Sequence, residues 1–444
     1  MLGAGRSTDR PALFFTLLDL IHMKSTQIVL ELCAVSILAF SLVSCAPVAK
    51  KGKVPPALVM AWDKVQIVTG DDEAKYSQEI RLVRQGAEFN DYDWAIQNVN
   101  SIGGAQRGLA LAMLAWDAAN SNHPVEAKRL IKMADLDGWI VSDTERAMRE
   151  AFLAGAEARL GKEVVSSRKS REILDANQKV YAEGLILAGN LAKNPEFKIP
   201  DKDLIRQDVI PLTIHALIST LAKPETPRSQ KEKVFHLAEN LVTKADPVNA
   251  IDCWSQLAVA AQNGGLQGEA SIAAYNSRDL AKAVDARTED FAIGLKNAAV
   301  ALSAIGDQAE AISCLELASV KPELIGFYFQ PHALMAIAEG YEKIGDREKA
   351  KVYWLKAIER AKGHPHPRAR QMNVVMLLMT MSRAGVYPEP EVAAVMDSIA
   401  RGEGGDAPLP PGYVKTGDRK TNSAKPAEKQ NKKKVKGESK TPST

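Results

Sequence analysis

From about Asp72 to Arg401 the chain holds to a single apolar period. Hydrophobic residues recur at three- and four-residue spacing among many Ala, Leu, Glu, Lys and Arg, the pattern of helices that bury one face. Gly, Asn and Pro interrupt it at intervals of about 13 to 20 residues, as at Lys193-Asn194-Pro195, Lys223-Pro224 and Asp246-Pro247, where a helix has to stop. No segment sustains the two-residue alternation of a half-buried strand. The expected fold class is therefore all-α, with short helices stacked on their neighbours. One helix start is explicit: Ser142 with Glu145 three residues on forms a capping box.

The helices come in pairs, and the pairs repeat. In the clearest unit, about Pro331 to Lys362, the first helix carries Leu334, Ile337, Ala338 and Tyr341. A Gly345-Asp346 turn follows, and the second helix carries Ala350, Trp354 and Ala357. Small residues at Ala338 and Ala350 let antiparallel helices approach closely, Tyr341 and Trp354 fill the space between pairs, and Gly345 ends the first helix in a left-handed conformation. The same frame recovers Leu295, Ala298, Leu302, Gly306-Asp307, Ala311 and Leu315. Further back it recovers Trp254, Leu257, Ala261, Gly265 and Ala270, then Leu111, Leu114, Ala118, Ala127 and Ile131, with Asn90-Asp91 as the turn of a partial unit. These units resemble the tetratricopeptide repeat, and the resemblance implies a solenoid of antiparallel helical hairpins forming a right-handed superhelix. Gly265, Gly306 and Gly345 stand further apart than that family's ~34 residues, so extra residues are expected between pairs. From about Leu160 to Lys244 the frame is lost while helical patterning continues.

Two segments lie outside the array. At the front, Lys24 precedes a mostly apolar run from Ile28 to Leu42, which ends in Leu42-Val43-Ser44-Cys45. A charged start, an apolar stretch and a small residue before the cut describe a secretory signal; the last four residues resemble the lipobox of bacterial lipoproteins. The resemblance implies that Cys45 is the acylated first residue of the mature chain, that translation begins at Met23, and that the protein is anchored in the cell envelope facing the periplasm or exterior. Ala46 favours the outer membrane where two membranes exist. Glu31 within the run and Val43 depart from the pattern. An uncleaved anchor also fits, since residues 32–49 carry no charge over about the length needed to span. At the other end, residues 415–444 hold ten Lys/Arg against three Asp/Glu, a net of +7, which leaves 47 basic and 51 acidic residues before them. The mild overall basicity thus belongs to a tail. Its Lys432-Lys433-Lys434 cluster lacks interleaved aromatics, so an anionic envelope polymer is a better match for it than nucleic acid. The expected divisions are a signal at 1–44, a linker at 45–71, the repeat domain at 72–401 and a disordered basic tail at 402–444.

No catalytic motif emerges. There is no His-Glu-x-x-His and no Cys-x-x-Cys. The close histidines His364 and His366 flank a proline in what reads as a stiff connection. Gly155 to Gly161-Lys162 has the wrong spacing for a phosphate loop and reads as a helix end, and Asp135 to Gly138 lacks the outer ligands of a calcium loop. Cys253 and Cys314 read as buried thiols, and Met372, Met376 and Met379 as a core stripe. No cofactor or metal is expected. In the resembling family, partner peptides lie along the first helices. By that frame Asp252, Gln262, Lys296, His332, Glu339 and Glu342 face inwards and are the candidate partner-binding residues. The expected function is a non-catalytic, membrane-anchored scaffold that binds protein or peptide partners. The alternative is a cell-wall (peptidoglycan) enzyme or a polyanion-binding envelope protein on a helical superstructure.

Overall fold

The computed structural model describes residues 52–69, 72–137, 142–196, 206–223 and 226–405. Cys45, the expected signal at 1–44 and residues 406–444 of the expected tail at 402–444 lie outside them. The described residues form eighteen α-helices, one short 3-10 turn and no strand. We number them α1 (Pro56–Gln66), α2 (Asp72–Glu88), α3 (Tyr92–Val99), α4 (Gly104–Asn120), α5 (Pro124–Leu136), α6 (Asp143–Arg159), α7 (Glu163–Arg171), α8 (Ala176–Lys193) and α9 (Ile210–Leu221). Then come α10 (Arg228–Val242), α11 (Pro247–Asn263), α12 (Gln267–Ala283), α13 (Glu289–Ala304), α14 (Gln308–Ser319), α15 (Gln330–Lys343), α16 (Arg347–Gly363), α17 (Pro367–Ala384) and α18 (Pro390–Ala400).

One turn design makes most of the hairpins. Asn90, Asn122, Gly161, Gly265, Gly306, Gly345 and Gly385 all adopt positive φ directly after a first helix. In each case the next residue's N–H donates to the carbonyl five positions back, as from Asp307 to Leu302 (2.9 Å), Asp346 to Tyr341 (2.9 Å) and His123 to Ala118 (2.8 Å). This is the Schellman closure, which satisfies carbonyls orphaned at the helix end. The residue after the turn often starts the second helix: Asp307 accepts from the Glu310 N–H (3.2 Å) and Asp346 from the Lys349 N–H (3.1 Å). The Gly-Asp pairs of the sequence therefore stop one helix and cap the next. The capping box at Ser142 and Glu145 forms as expected.

First helices make an inner wall and second helices an outer one. In α11 nearly every residue from Asn249 to Ala261 is buried, whereas its partner α12 buries only the stripe Ala270, Ala273, Ala274, Ser277 and Ala281. Burial all round belongs to a helix with neighbours on every side, and a stripe to one with an open face. Alanine keeps the layers close: Ala298, Ala338, Ala350 and Ala357 are wholly buried. Tyr341 and Trp354 are buried too, with Tyr341 stacked on Tyr353 of its own hairpin (5.6 Å between ring centroids). Both Cys253 and Cys314 are buried free thiols. The extra residues between pairs occupy connections such as 320–329, which hold the 3-10 turn Pro322–Leu324.

In the stretch where the repeat frame fades, α8 packs on α6 and α9, while α6 pairs with α7 and α9 with α10.

The array also closes on itself. Inner helices α2, α4, α6, α8, α9, α11, α13, α15 and α17 each pack on the next, and α17 then packs on α1, which packs on α2. Thr69 N–H donates to Gln371 Oε1 (3.2 Å), Lys64 pairs with Asp397 (2.6 Å), and Gln85 donates to the Met379 carbonyl (2.9 Å) and Ser382 Oγ (2.7 Å). The linker expected at 45–71 is thus corrected. Pro56–Gln66 is a helix whose Ala57, Leu58, Ala61, Trp62 and Val65 bury one face and wedge the two ends together. At the far boundary, the Gly405 N–H donates to the Lys362 carbonyl (3.0 Å).

Candidate functional site

Charged residues set among apolar neighbours on the inner helices meet in a polar belt at the centre of the ring. Arg84 of α2 grips Asp117 of α4 with two hydrogen bonds, Nε to Oδ2 at 2.7 Å and Nη2 to Oδ1 at 2.8 Å. Gln85 carries the belt across the closing seam to α17. There Arg383 reaches Glu339 of α15 (3.2 Å), and Glu339 pairs with Lys296 of α13 (3.4 Å). Next to Lys296, Asn297 donates to Asp252 of α11 (3.0 Å) and accepts from Ser255 Oγ through its carbonyl (2.6 Å). Gln256 donates to the other oxygen of Asp252. Polar contacts, linked through the sequence neighbours Arg84-Gln85, Ser382-Arg383 and Lys296-Asn297, therefore run through α4, α2, α17, α15, α13 and α11. Gly340 makes room for them, because a Cβ there would meet Leu315 at 2.5 Å and the Lys296 stem at 3.1 Å.

Two belt carboxyls are driven in opposite directions. Burial pushes Glu339 up, but Arg383, Lys296 and Lys343 outweigh it and hold the carboxyl at about 2. For Asp252 desolvation wins over Lys296 and the Gln256 hydrogen bond, and its carboxyl rises to about 7. The difference is one of company, since Glu339 has cations on two sides and Asp252 mainly amide donors.

Glu88, one turn past Arg84, shows a third situation. Its side chain keeps solvent-accessible surface, yet desolvation pushes its carboxyl well above the ordinary range against the pull of Arg383, Arg84 and Lys343. Burial also lowers Lys343 on the same side, and lowers His215 on α9, which faces the Arg84–Asp117 pair.

The inward positions read from the sequence divide into groups. Asp252, Lys296 and Glu339 come together in the belt and are buried, so a peptide lying on an open face has no direct access to them. His332 takes part in a separate link nearer the inner helices' N-terminal ends, contacting Glu289 Oε2 (2.6 Å) and Asn373 Oδ1 (3.2 Å). Glu342 is half-buried and pairs with Arg347 (3.4 Å), and Gln262 is half-buried on the last turn of α11. Cys45 lies outside the described residues.

Arg84, Asp117, Asn297 and Arg383 were not singled out by the repeat frame. For Asp117 a signal was present in the sequence: Trp116-Asp117-Ala118 sets a charge inside the apolar run of α4, which requires a buried partner. Elsewhere His364 is buried against Phe327 and Tyr328 in the α16–α17 connection, and desolvation lowers it to about 4. Among the described residues no cluster of three or more His, Cys, Asp or Glu is placed to hold a metal. No family model, curated protein or solved structure matches the chain.

Proposed function

We propose that this chain is a lipid-anchored protein of the cell envelope that serves as a non-catalytic scaffold for protein or peptide partners. The observation that carries the reading is Leu42-Val43-Ser44-Cys45, which ends an apolar run and places an acylatable cysteine shortly before α1. The stacked hairpins support the scaffold role, since such arrays offer long, regular surfaces and their side chains vary without cost to the core. Among the described residues no helix is long and apolar enough to cross a membrane, so in this reading the attachment depends on Cys45. Because the belt groups are committed to one another, partner contact falls to the accessible edges, where Gln262 and Glu342 lie.

Metabolic labelling with a palmitate analogue tests the anchor. Wild type takes up label and Cys45→Ala does not; equal labelling of both defeats the reading. For the scaffold role, photo-cross-linkers at Gln262 and Glu342 capture a reproducible partner from native envelopes. Capture of none from these or other exposed positions defeats it.

One observation favours the second reading, a cell-wall enzyme. Asp252 and Glu339 are carboxyls of one network with widely separated proton affinities, as an acid and a base require. Their hydrogen bonds to Asn297, Gln256 and Arg383 argue instead for a structural lock. Release of peptidoglycan fragments by the wild type, abolished in Asp252→Asn, would establish the enzyme reading.

A further inference from the structure

Three of the chain's seven histidines, His332, His364 and His366, gather where α16 hands over to α17, the inner helix that meets α1 at the seam. His364 is 3% exposed. Its ring lies 4.8 Å from that of Tyr328 and 5.7 Å from that of His366, and the Tyr328 and His366 rings are stacked. The His366 backbone N–H donates to His364 Nδ1 (3.2 Å). A backbone N–H is always the donor, so Nδ1 carries no proton and the imidazole is neutral, with its hydrogen on Nε2.

A second proton on His364 has to go to Nδ1, so it breaks that bond. It also sets a charge beside a cation. Arg370, 4% exposed, donates from Nη1 to the carbonyls of His364 (2.7 Å) and Pro365 (3.2 Å), and from Nη2 to that of Gly402. Among the described residues the charges that act on His364 are those of His366, Arg370 and His332, and no carboxylate is with them. Lys362 and Arg368 flank the connection on α16 and α17. The acids of the surrounding elements are placed elsewhere: Glu289 contacts His332 (2.6 Å), Glu403 pairs with Arg401 (3.5 Å), and Glu323 is exposed on the 3-10 turn. A protonated His364 therefore has no counter-charge inside the fold and has to reach water, which moves the connection outwards.

What this connection holds is the seam. Arg370 ties residues 364 and 365 to Gly402, and its neighbour Gln371 donates to the Ala400 carbonyl (3.0 Å) and accepts from the Thr69 N–H (3.2 Å). Three segments far apart in sequence are thus fastened at the start of α17. We propose that His364 and Arg370 form an acid-sensitive latch on the ring: proton uptake at His364 releases the α16–α17 connection and, through Arg370 and Gln371, the hold of α17 on Thr69 and on residues 400–402. The latch is built from residues of the ring alone and does not depend on the membrane anchor or on the scaffold reading.

The test is hydrogen exchange of the full chain between pH 7 and pH 4, with rates corrected for the pH dependence of the exchange chemistry. His364 is lowered to about 4 in the closed state, and a free imidazole titrates near 6.5. Between those values the opening of residues 364–371, and of the Thr69 amide with them, rises about tenfold per unit of falling pH in wild type. Amides of α6 do not follow. His364→Asn keeps an acceptor for the His366 N–H without a titrating group, and its opening is flat with pH. His236→Asn, at an exposed histidine of α10, responds as wild type does. Should His364→Asn not fold, NMR of the wild-type imidazole decides: His364 titrates below the ordinary histidine range and in step with the opening. The proposal is overturned if wild-type exchange in 364–371 is independent of pH, or if His364→Asn responds as wild type does. It is equally overturned if Thr69 keeps its protection while 364–371 opens, or if His364 titrates at its ordinary value with the connection closed.

Discussion

Arg84 and Asp117 make the sharpest demand on the fold at the level of single residues. Their bidentate pair is 2% and 12% exposed at the side chains, and removing one member strands a charge in the interior. Asp117→Ala is expected to cost about 3–5 kcal/mol in urea unfolding, while Arg84→Met with Asp117→Leu together cost far less, because no buried charge is left over. Asp252 gives a prediction with a definite sign. Its carboxyl is raised to about 7 in the folded chain from about 3.9 when unfolded. The folded state therefore binds the extra proton between those values, and stability falls as pH rises through that window, by up to about 1.4 kcal/mol per unit. Asp252→Asn removes this decline, visible as a flatter stability curve from about pH 4 to 7. Glu339 works in the opposite sense: held at about 2, it stabilises above the unfolded carboxyl range near 4.3 and loses that contribution as pH falls towards 2.

At the level of elements, the hairpin turn decides what substitutions are tolerated. Gly345 sits at φ +91° with open space around a would-be Cβ, so Gly345→Ala carries only the left-handed backbone cost of roughly 1–2 kcal/mol. Gly345→Asn costs less, since Asn90 and Asn122 already occupy this conformation in sister turns; thermal melts of the two variants give the order. These turns, with the small residues flanking Tyr341 and Trp354, were legible in the sequence because they depend on neighbours within one hairpin. α1 was not legible: eleven residues after a proline pair carry no repeat frame, and their apolar stripe has meaning only against α17. For the belt, Lys296, Glu339 and Asp252 were read as inward, but their partners could not be assigned. Arg383 and Glu339 lie 44 residues apart, and Arg84 and Asp117 meet only because two first helices stand side by side.

For the molecule as a whole, closure is what turns a row of hairpins into an enclosed polar centre. A small rotation at each hairpin accumulates until the ends meet, and no local residue pattern encodes that sum. The seam is built from the Lys64–Asp397 ion pair, the hydrogen bonds of Thr69 and Gln85, and the buried face of α1. Trp62→Ala is expected to speed hydrogen exchange in α17 more than in α11 or α13, because lost packing at the seam opens that side first. The most direct check of closure is zero-length carbodiimide coupling on the monomer, read by mass spectrometry. Lys64 and Asp397 lie 2.6 Å apart across the seam, and Lys351 and Glu389, at 2.8 Å between α16 and the start of α18, serve as a control within the array. A closed ring yields an intramolecular Lys64–Asp397 amide along with the control product. An open array yields the control product without it.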